Sequence, residues 1–500
     1  MAQHQFDVLI IGAGLSGIGA ACQVAMQCPG KTFAILERRE RMGGTWDLFR
    51  YPGIRSDSDM FSFGYQFRPW HELKVLADGP SIRNYIMKTA SEYGVDKHVQ
   101  YGKQITEASW SSEDASWTIS ATVGTGQKET WKCNVLVMCT GYYNYDAGYE
   151  PEFPGMSRFK GQVIHPQKWP EELDYSGKRV VVIGSGATAV TLVPAMADKV
   201  AHITMLQRSP SYVFSVPGID TISKVLNWFL PEKFVYSMAR SRNIFIQRSL
   251  YKACKRWPNF MRKFLLNGVR KAVGPDFDMA HFTPKYMPWD ERLCAVPDGD
   301  LFEALKSGKA SVVTDHIETI TETGILLKSG KTLDADIIVT ATGLRVQIGG
   351  GMQVKVDDKP RTFSDSMMYK GVLVQDMPNM AWIIGYTNAP WTLKAEIASK
   401  YICRLINLMD QRGMQIAIPR DRANQKLTTS ILDSLGSGYV QRARAELPRQ
   451  GSALPWAVLH NYEIDKPMLM TDPVDDGVLE FSRARTGKVQ SINRDERRAA

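Results

Sequence analysis

Apolar segments and glycine-rich turns alternate at the start of the chain. Residues 6–11 (FDVLII) predict a buried strand, and residues 12–17 (GAGLSG) predict a tight turn into a helix over residues 16–26. A second strand, TFAIL, ends at Glu37. This order of strand, tight turn, helix and strand is typical of one half of a doubly wound parallel sheet.

The same order returns later in the chain. Residues 179–183 (RVVVI) predict a strand, residues 184–189 (GSGATA) predict a turn, and a helical stretch follows to about Ala197. Another strand, HITMLQ, leads to Arg208. The chain therefore contains two units of the kind that binds dinucleotides.

Residues 216–284 have a different pattern. Apolar residues recur there at helical spacing with basic residues between them, and strands are not indicated. The pattern predicts a helical subdomain inserted into the second unit. The recurring apolar positions are Leu250, Cys254, Trp257, Met261, Phe264 and Leu265.

Composition narrows the class of protein. The chain has 500 residues, of which 44% are hydrophobic and 23% charged, so the disordered, collagen-like and disulfide-scaffold classes are excluded. Its 7 cysteines form no CxxC pair, which favours a reducing cytoplasm and indicates no metal site. No apolar run is long enough to span a membrane.

The net charge of +9 is concentrated in one segment. Residues 221–275 contain 12 lysines and arginines and a single acid, Glu232, so the rest of the chain is nearly neutral. No nucleic-acid-binding module accompanies this charge, and we expect no nucleic-acid partner. The segment is either a peripheral membrane contact or a solvated face around a substrate tunnel.

The first glycine loop has the spacing of a nucleotide-binding site. Gly12, Gly14 and Gly17, with Ser16 between them, allow a tight turn and a close approach of the backbone to a pyrophosphate. Glu37 stands where a carboxylate can accept both hydroxyls of a ribose. A structural turn is the alternative, because GxGxxG alone is a weak signal.

The second loop indicates a different nucleotide. Gly184 and Gly186 are present, Ala189 replaces the third glycine, and Arg208 takes the place of the ribose-binding acid. Arginine there favours a 2′-phosphate, and hence NADPH, unless it is only a solvated strand end. A flavin and a nicotinamide that exchange hydride would explain both sites. The other residues expected at the NADPH site are Ser185, Ala187, Thr188 and Ser209.

Two longer signatures resemble one enzyme family. Residues 159–170 (FKGQVIHPQKWP) and residues 43–57 (GGTWDLFRYPGIRSD) are similar to the signatures of the type I (class B) Baeyer–Villiger monooxygenases. Related N- and S-oxidising flavin monooxygenases usually have tyrosine at the position of Trp169, so this residue favours the Baeyer–Villiger branch. The matching residues are Phe159, Gly161, His165 and Trp169 in the first and Gly44, Trp46, Tyr51, Pro52, Gly53 and Asp57 in the second.

The resemblance implies a reaction and its cofactors. FAD reduced by NADPH would react with O2 to a C4a-peroxyflavin, which inserts one oxygen atom next to a ketone carbonyl and gives an ester or lactone. Thioethers or thioamides would also be sulfoxidised. Ketones or sulfides, together with O2, are the expected small-molecule substrates. The alternatives are an N- or S-oxygenating flavin monooxygenase and a peripheral membrane-associated flavoprotein.

The resemblance also implies roles for single residues. Arg292 would be the active-site arginine, oriented by Asp57 beside the flavin, and His165 would link the domains without catalysing chemistry. Glu291 stands where family members often have a basic residue. The remaining implied contacts are Gly44, Thr45, Trp46, Asp47, Asp57 and Ile105 to FAD and Arg55 and Ser56 to NADP.

These expectations combine into one architecture. We expect an α/β fold with two Rossmann-like dinucleotide-binding domains and an inserted helical subdomain, in the cytoplasm, either free or membrane-associated. The FAD-binding domain would comprise residues 1–143 and 345–500, and the NADP-binding domain residues 152–215 and 285–344. Residues 216–284 would form the helical insert.

Overall fold

Two main sheets carry the glycine loops, and several two- and three-stranded sheets accompany them. A computed structural model describes residues 4–291 and 293–484. The strands are β1 (His4–Ile11), β2 (Phe33–Leu36), β3 (Val99–Gln100), β4 (Lys103–Ser111), β5 (Ser116–Val123), β6 (Gln127–Met138), β7 (Tyr143–Gly148), β8 (Gln162–Ile164), β9 (Arg179–Ile183), β10 (His202–Gln207), β11 (Val213–Val216), β12 (Cys294–Pro297), β13 (Ala310–Thr314), β14 (Ile317–Ile320), β15 (Gly324–Leu327), β16 (Thr332–Asp334), β17 (Ile337–Thr340), β18 (Leu344–Val346), β19 (Gln353–Val356), β20 (Lys359–Arg361), β21 (Met368–Tyr369), β22 (Leu373–Val374), β23 (Met380–Trp382), β24 (Ile416–Pro419), β25 (Lys426–Ser430), β26 (Arg449–Gly451) and β27 (Leu479–Ser482). The helices are α1 (Leu15–Gln27), α2 (Thr45–Leu48), α3 (Met60–Phe63), α4 (Gly79–Glu92), α5 (Ala187–Met196), α6 (Thr221–Leu226), α7 (Glu232–Arg256), α8 (Pro258–Val273), α9 (Asp300–Lys306), α10 (Trp391–Arg412), α11 (Gly438–Ala443) and α12 (Tyr462–Met470).

The larger sheet combines a parallel and an antiparallel part. Its strand order is β20–β19–β4–β5–β6–β1–β2–β3, and β23 joins it beside β6. β1 runs parallel to β2 and β6, with Val8 opposite Phe33 and Val135. Val8 and Leu9 belong to apolar clusters on opposite faces of the strand. Burial on both faces is typical of the parallel strands in a doubly wound sheet.

The second sheet is entirely parallel and has the order β13–β10–β9–β17–β8. β9 occupies the expected residues, and its side chains alternate between two apolar clusters, with Val182 in one and Val181 in the other. α5 packs against β9 and β10. The predicted α/β fold class with two Rossmann-like units is confirmed, whereas the domain boundaries stay a prediction.

Pro258 divides the basic helical segment. Proline has no backbone N–H and its ring crowds the preceding turn, so α7 ends at Arg256 and α8 begins at Pro258. Among the apolar positions expected there, Trp257 and Phe264 are 58% and 60% exposed, while their neighbours are buried. Those buried neighbours are Cys254, Met261 and Leu265. Within residues 4–291 and 293–484, no helix combines the length and apolar character needed to cross a bilayer.

Candidate active site

The turn between β1 and α1 requires its glycines. Gly12 has a φ of +102°, and a Cβ there would lie 2.7 Å from the carbonyl oxygen of Cys139. A Cβ on Gly17 would overlap the carbonyl oxygen of Gly12, so α1 packs directly against the turn. The first N–H groups of α1 therefore lie beside the end of β1, which is the geometry that binds phosphates.

Two buried polar side chains hold this turn. Glu37 Oε2 accepts the Ala13 N–H at 2.7 Å, and its Oε1 accepts the Arg39 N–H at 2.9 Å. Burial raises the pKa of Glu37, and these two N–H donors oppose the rise. Ser16 Oγ accepts the indole N–H of Trp391 at 2.7 Å, which ties α1 to the start of α10. Because each carboxylate oxygen can accept two hydrogen bonds, Glu37 retains capacity for the hydroxyls of a ribose.

A cavity of about 80 Å³ lies beside the turn. An ideal Cβ on Gly14 would lie 3.5 Å from the Gly44 Cα, so the first glycine loop touches the loop of the second signature. The cavity thus brings together residues that are far apart in the sequence. The predicted FAD contacts that line it are Gly12, Gly14, Glu37, Gly44 and Ile105.

Sequence analysis missed part of this cavity. Tyr145 lines it and is hydrogen-bonded to Thr45; burial raises the pKa of Tyr145 to about 12. Residues 349–351 are three consecutive glycines with positive φ, and the first two of them line another side of the cavity. That glycine run was the available sequence signal. Trp46, also expected near FAD, packs edge-on against Phe63 with ring centres 5.8 Å apart.

Asp47 is the buried centre of an arginine cluster. Its side chain is fully buried, and its carboxylate oxygens lie 2.7 Å from Arg39 Nη2 and 2.7 Å from Arg50 Nη2. Arg41 Nε and Arg83 Nε lie 3.4 and 3.3 Å from Asp47 Oδ1. The carboxylate therefore joins three parts of the chain: the loop that follows β2, helix α2 and helix α4. The ion-pair partners of this carboxylate in the structure are arginines.

The second glycine loop is more open than the first. Gly184 has a φ of +143°, and an ideal Cβ on Gly186 would meet no atom within 4 Å among the described residues. Gly186 and Ala187 are exposed at the N-terminus of α5, whereas Ala189 is fully buried. Ser185, between Gly184 and Gly186, is half-buried. The start of α5 is therefore accessible to a phosphate.

Arg208 and Ser209 follow β10 and are exposed. The Ser209 carbonyl accepts the Ser185 hydroxyl at 3.0 Å, which places both residues beside the second glycine loop. Glu291 is a charged neighbour of Arg208: burial raises the pKa of Glu291, and the Arg208 charge lowers it. The expected phosphate site therefore combines one arginine with one acid.

The second signature contacts the unit that contains the second glycine loop. The Tyr51 hydroxyl is hydrogen-bonded to Thr188 at the start of α5, and burial raises the pKa of Tyr51 to about 12. The Arg55 guanidinium pairs with the carboxylate of Asp300 at the start of α9. Ser56 is buried, and its hydroxyl accepts the Ser58 N–H at 3.0 Å. Of the expected NADP contacts, Arg55 therefore contacts the second unit, whereas the hydroxyl of Ser56 bonds within its own loop.

His165 lies where the two sheets are connected. Its Nδ1 accepts the Gln167 N–H at 3.2 Å, so its Nε2 carries the proton and donates to the Gly343 carbonyl at 3.2 Å. Burial lowers the pKa of His165, which favours this neutral form. The ring does not line the cavity beside the first glycine turn. The other residues of this signature, which pack in apolar clusters or against one another, are Phe159, Gly161 and Trp169.

A larger cavity, of about 410 Å³, is lined by β11, β12, α6, α7 and the loops before α3 and α10. Cavities of about 300 to 1,000 Å³ hold organic molecules of ordinary size. Its wall is mainly apolar, which suits a substrate with little polar surface. Representative wall residues are Val75, Leu76, Phe214, Leu250 and Leu293.

Asp57 is exposed and lines this larger cavity. Arg292 lies outside the described residues, but Trp289 and Leu293, on either side of it in the chain, line the same cavity. The predicted catalytic pair therefore belongs to two segments that meet at one wall.

Helix α7 adds polar groups that sequence analysis missed. Asn243 and Gln247 line the larger cavity, and both side-chain amides donate to the Asp59 carboxylate. The distance from Asn243 Nδ2 to Asp59 Oδ1 is 2.8 Å. Their spacing of four residues on a helix was the only sequence signal.

Comparisons with known proteins agree with this geometry. The family model described as flavin-binding monooxygenase-like matches residues 5–349. MymA of Mycobacterium tuberculosis is 61% identical over 489 residues, which cover 97% of this chain and 99% of MymA. The FAD-containing monooxygenase EthA of the same species is 48% identical over 485 residues, which cover 97% of this chain and 99% of EthA.

A solved structure shares the fold. The oxidized steroid monooxygenase bound to NADP superposes with a TM-score of 0.77 at 22% identity. The match covers 96% of this chain and 100% of that chain. The overall fold of the chain is therefore one that a solved structure also has.

Proposed function

Because the chain belongs to the flavin-binding monooxygenase-like family, we propose that it is an FAD- and NADPH-dependent Baeyer–Villiger monooxygenase. It inserts one oxygen atom of O2 next to a ketone carbonyl and produces an ester or lactone. The observation that carries this proposal is the apolar cavity of about 410 Å³, which has Asp57 on its wall together with Trp289 and Leu293, which precede and follow Arg292 in the chain. The family membership also confirms the resemblance of the two signatures.

FAD binds at the first glycine loop. The N-terminus of α1 and the close pair Gly14 and Gly44 fit a pyrophosphate, and Glu37 fits a ribose. Ile105 lines the same cavity. Trp46 belongs to the second signature, which continues to Asp57. Bound flavin, once reduced, supplies the electrons that activate O2.

NADPH binds at the second glycine loop. The open space at Gly186 and the N-terminus of α5 receive the pyrophosphate, and Arg208 with Ser209 receives the 2′-phosphate. Arg55, which pairs with Asp300 at the start of α9, and Ser56 would hold the nicotinamide end. The second signature would therefore contribute residues to both coenzyme sites, Gly44 to that of FAD and Arg55 to that of NADPH.

Arg292 supplies a permanent positive charge at the reaction centre. A guanidinium stays protonated throughout the physiological pH range. It stabilises the negative charge that develops on oxygen when a ketone carbonyl is attacked. The Asp57 carboxylate orients the guanidinium by a charge-assisted hydrogen bond.

The two coenzymes divide the chain between two domains. We assign residues 1–143 and 345–500 to the FAD-binding domain, residues 152–215 and 285–344 to the NADP-binding domain, and residues 216–284 to the helical insert. In support, β1–β6 and β19–β23 share the larger sheet, β8–β10, β13 and β17 share the parallel sheet, and α6–α8 lie in the insert.

Product analysis tests the proposed reaction. We expect the holoenzyme with NADPH to convert ketones to esters or lactones, and thioethers to sulfoxides. Attack on a carbonyl needs an anionic oxygen, whereas oxidation of sulfur needs an electrophilic one, so the ratio of ester to sulfoxide should rise with pH. Mass spectrometry of products from linear, cyclic and aryl ketones and from sulfides measures this ratio. Sulfoxide or N-oxide without ester at any pH would assign the chain to N- and S-oxygenation instead.

Arg208→Ala is expected to raise the KM for NADPH selectively. A charge-assisted contact with a phosphate contributes about 2 kcal/mol, so the KM for NADPH should rise roughly 30-fold. The KM for NADH should change little, because NADH has no 2′-phosphate. Initial rates of oxidation of each coenzyme, measured with the same ketone, provide the comparison.

Glu291→Gln is the matched control for this site. Removing the acid beside Arg208 should lower the KM for NADPH, since a like charge near the 2′-phosphate is lost. Equal increases in KM for NADPH and NADH in Arg208→Ala would contradict the phosphate assignment.

A further inference from the structure

The helical segment carries an unusual aromatic surface. Seven aromatic side chains between residues 228 and 264 are each more than half exposed, from Phe234 at 53% to Phe229 at 76%. In the described part of the chain, every exposed phenylalanine or tryptophan is one of these seven. We call them the aromatic face: Trp228, Phe229, Phe234, Phe245, Trp257, Phe260 and Phe264.

The helices hold this face outward because their opposite sides are anchored. On α7, Phe234 and Phe245 are eleven residues apart and share one side, whereas Val235 and Ala239 are buried. On α8, Phe260 and Phe264 share one side, while Met261 and Leu265 are buried. α6 packs against α7, and α7 packs against α8. The aromatic face is therefore a fixed property of packed helices.

Positive charge accompanies the aromatic face. Lys224, Lys233, Arg256, Lys263 and Lys271 are exposed, and within the described ranges none of them forms an ion pair. The single acid of this segment pairs with a histidine outside it. Aromatic side chains mixed with such cations suit the boundary of an anionic bilayer. A second copy of the chain would bring like charges together, and protein interfaces are usually poor in lysine.

The larger cavity opens beside this face. Ile219, Ile222 and Ile246 line the cavity and are also 53%, 56% and 53% exposed, so they frame its mouth. Ile246 follows Phe245 directly on α7, and Ile222 lies on α6 shortly before Trp228. A molecule that leaves a membrane at the aromatic face would therefore meet an apolar entrance.

We propose that the aromatic face docks on an anionic lipid bilayer, and that the mouth framed by Ile219, Ile222 and Ile246 admits a lipid-dissolved substrate directly from it. Docking uses aromatic burial and the attraction of the unpaired cations for lipid headgroups. The substrate class is then a long-chain, water-insoluble ketone or thioether. This class rests on the proposed function, whereas docking does not.

Vesicle co-sedimentation of the FAD-loaded enzyme tests docking. We expect binding to phosphatidylcholine vesicles that contain phosphatidylglycerol and much weaker binding to vesicles without it. Trp228→Ser/Phe229→Ser should bind at least about tenfold more weakly, because two large apolar side chains are lost. Lys224→Gln/Lys233→Gln should lose about fivefold per cation. The matched control, Leu427→Ser/Leu459→Ser, removes exposed apolar residues outside the helices and should bind normally.

Two results of this experiment would overturn docking. One is wild-type binding that is absent, or equal with and without phosphatidylglycerol. The other is a wild-type dimer in size-exclusion chromatography that becomes a monomer in Trp228→Ser/Phe229→Ser, with no vesicle binding by the wild type. The aromatic face would then be covered by a second copy.

Turnover tests delivery from the bilayer. We expect Trp228→Ser/Phe229→Ser to oxidise a long-chain 2-ketone embedded in vesicles at least tenfold more slowly than the wild type, and a short water-soluble ketone at the same rate. Equal losses with both ketones would overturn delivery. If the wild type oxidises neither ketone, the proposed function fails, while vesicle co-sedimentation still decides docking.

Discussion

Gly17→Ala is expected to yield a protein that purifies without FAD. The added Cβ would overlap the carbonyl oxygen of Gly12, so α1 must move away from the turn that shapes the FAD cavity. Overpacking of this kind costs about 3 kcal/mol, which corresponds to a loss of FAD affinity of more than about 100-fold. The ratio of flavin to protein absorbance after desalting, followed by titration with FAD, measures the effect.

Gly268→Ala is the matched control for Gly17→Ala. Gly268 lies on α8, where an ideal Cβ would meet nothing within 4 Å among the described residues, so the protein should stay yellow. Alanine there should also stabilise the helix by about 1 kcal/mol. The second glycine loop already has Ala189, fully buried, at the place equivalent to Gly17, so the two loops differ in how closely helix and turn approach. Wild-type flavin content in Gly17→Ala would refute this difference.

Short-range sequence patterns predicted the parts of the structure that depend on consecutive residues. β9 begins and ends at the expected residues, because four consecutive apolar residues between a polar segment and a glycine turn leave little choice. Gly12 and Gly17 take the conformation that their spacing predicts, since the turn itself excludes side chains. The geometry of the first glycine turn was therefore predictable from the sequence, including the position of Glu37 beside it, whereas nucleotide binding there stays a prediction.

Contacts between distant segments could not be predicted in the same way. Asp47 forms ion pairs with four arginines. One of them, Arg83, lies on α4, and no local sequence pattern predicts that contact. The wall of the larger cavity joins Val75, Phe214 and Leu250, which belong to separate elements. Helical spacing alone also could not separate the buried side of α8 from its exposed aromatic side, because both sides are apolar. Which side of a helix is buried depends on the element that packs against it, and a single sequence does not identify that element.

Arg292→Ala is expected to separate oxidation of NADPH from transfer of oxygen. Because we assign coenzyme binding to the two glycine loops and Arg208, NADPH should still bleach the flavin absorbance at a rate near that of the wild type. Formation of ester should fall about 100- to 1,000-fold, which is the usual loss when one group that stabilises a developing oxyanion is removed. Hydrogen peroxide should appear in place of the ester, because reduced flavin still consumes O2.

Variants of charge and of orientation distinguish the role of Arg292 from a structural one. Arg292→Lys keeps the positive charge but loses the planar fork, so it should recover part of the ester yield. Asp57→Asn should reduce ester yield less than Arg292→Ala does, since we propose that Asp57, on the cavity wall, only orients the guanidinium. Stopped-flow absorbance and product mass spectrometry measure the two half-reactions separately. Only oxygen transfer, and not flavin reduction, needs stabilisation of a negative charge on oxygen. Normal ester yield in Arg292→Ala would therefore exclude a catalytic charge at this position. Loss of flavin reduction would instead assign Arg292 to coenzyme binding.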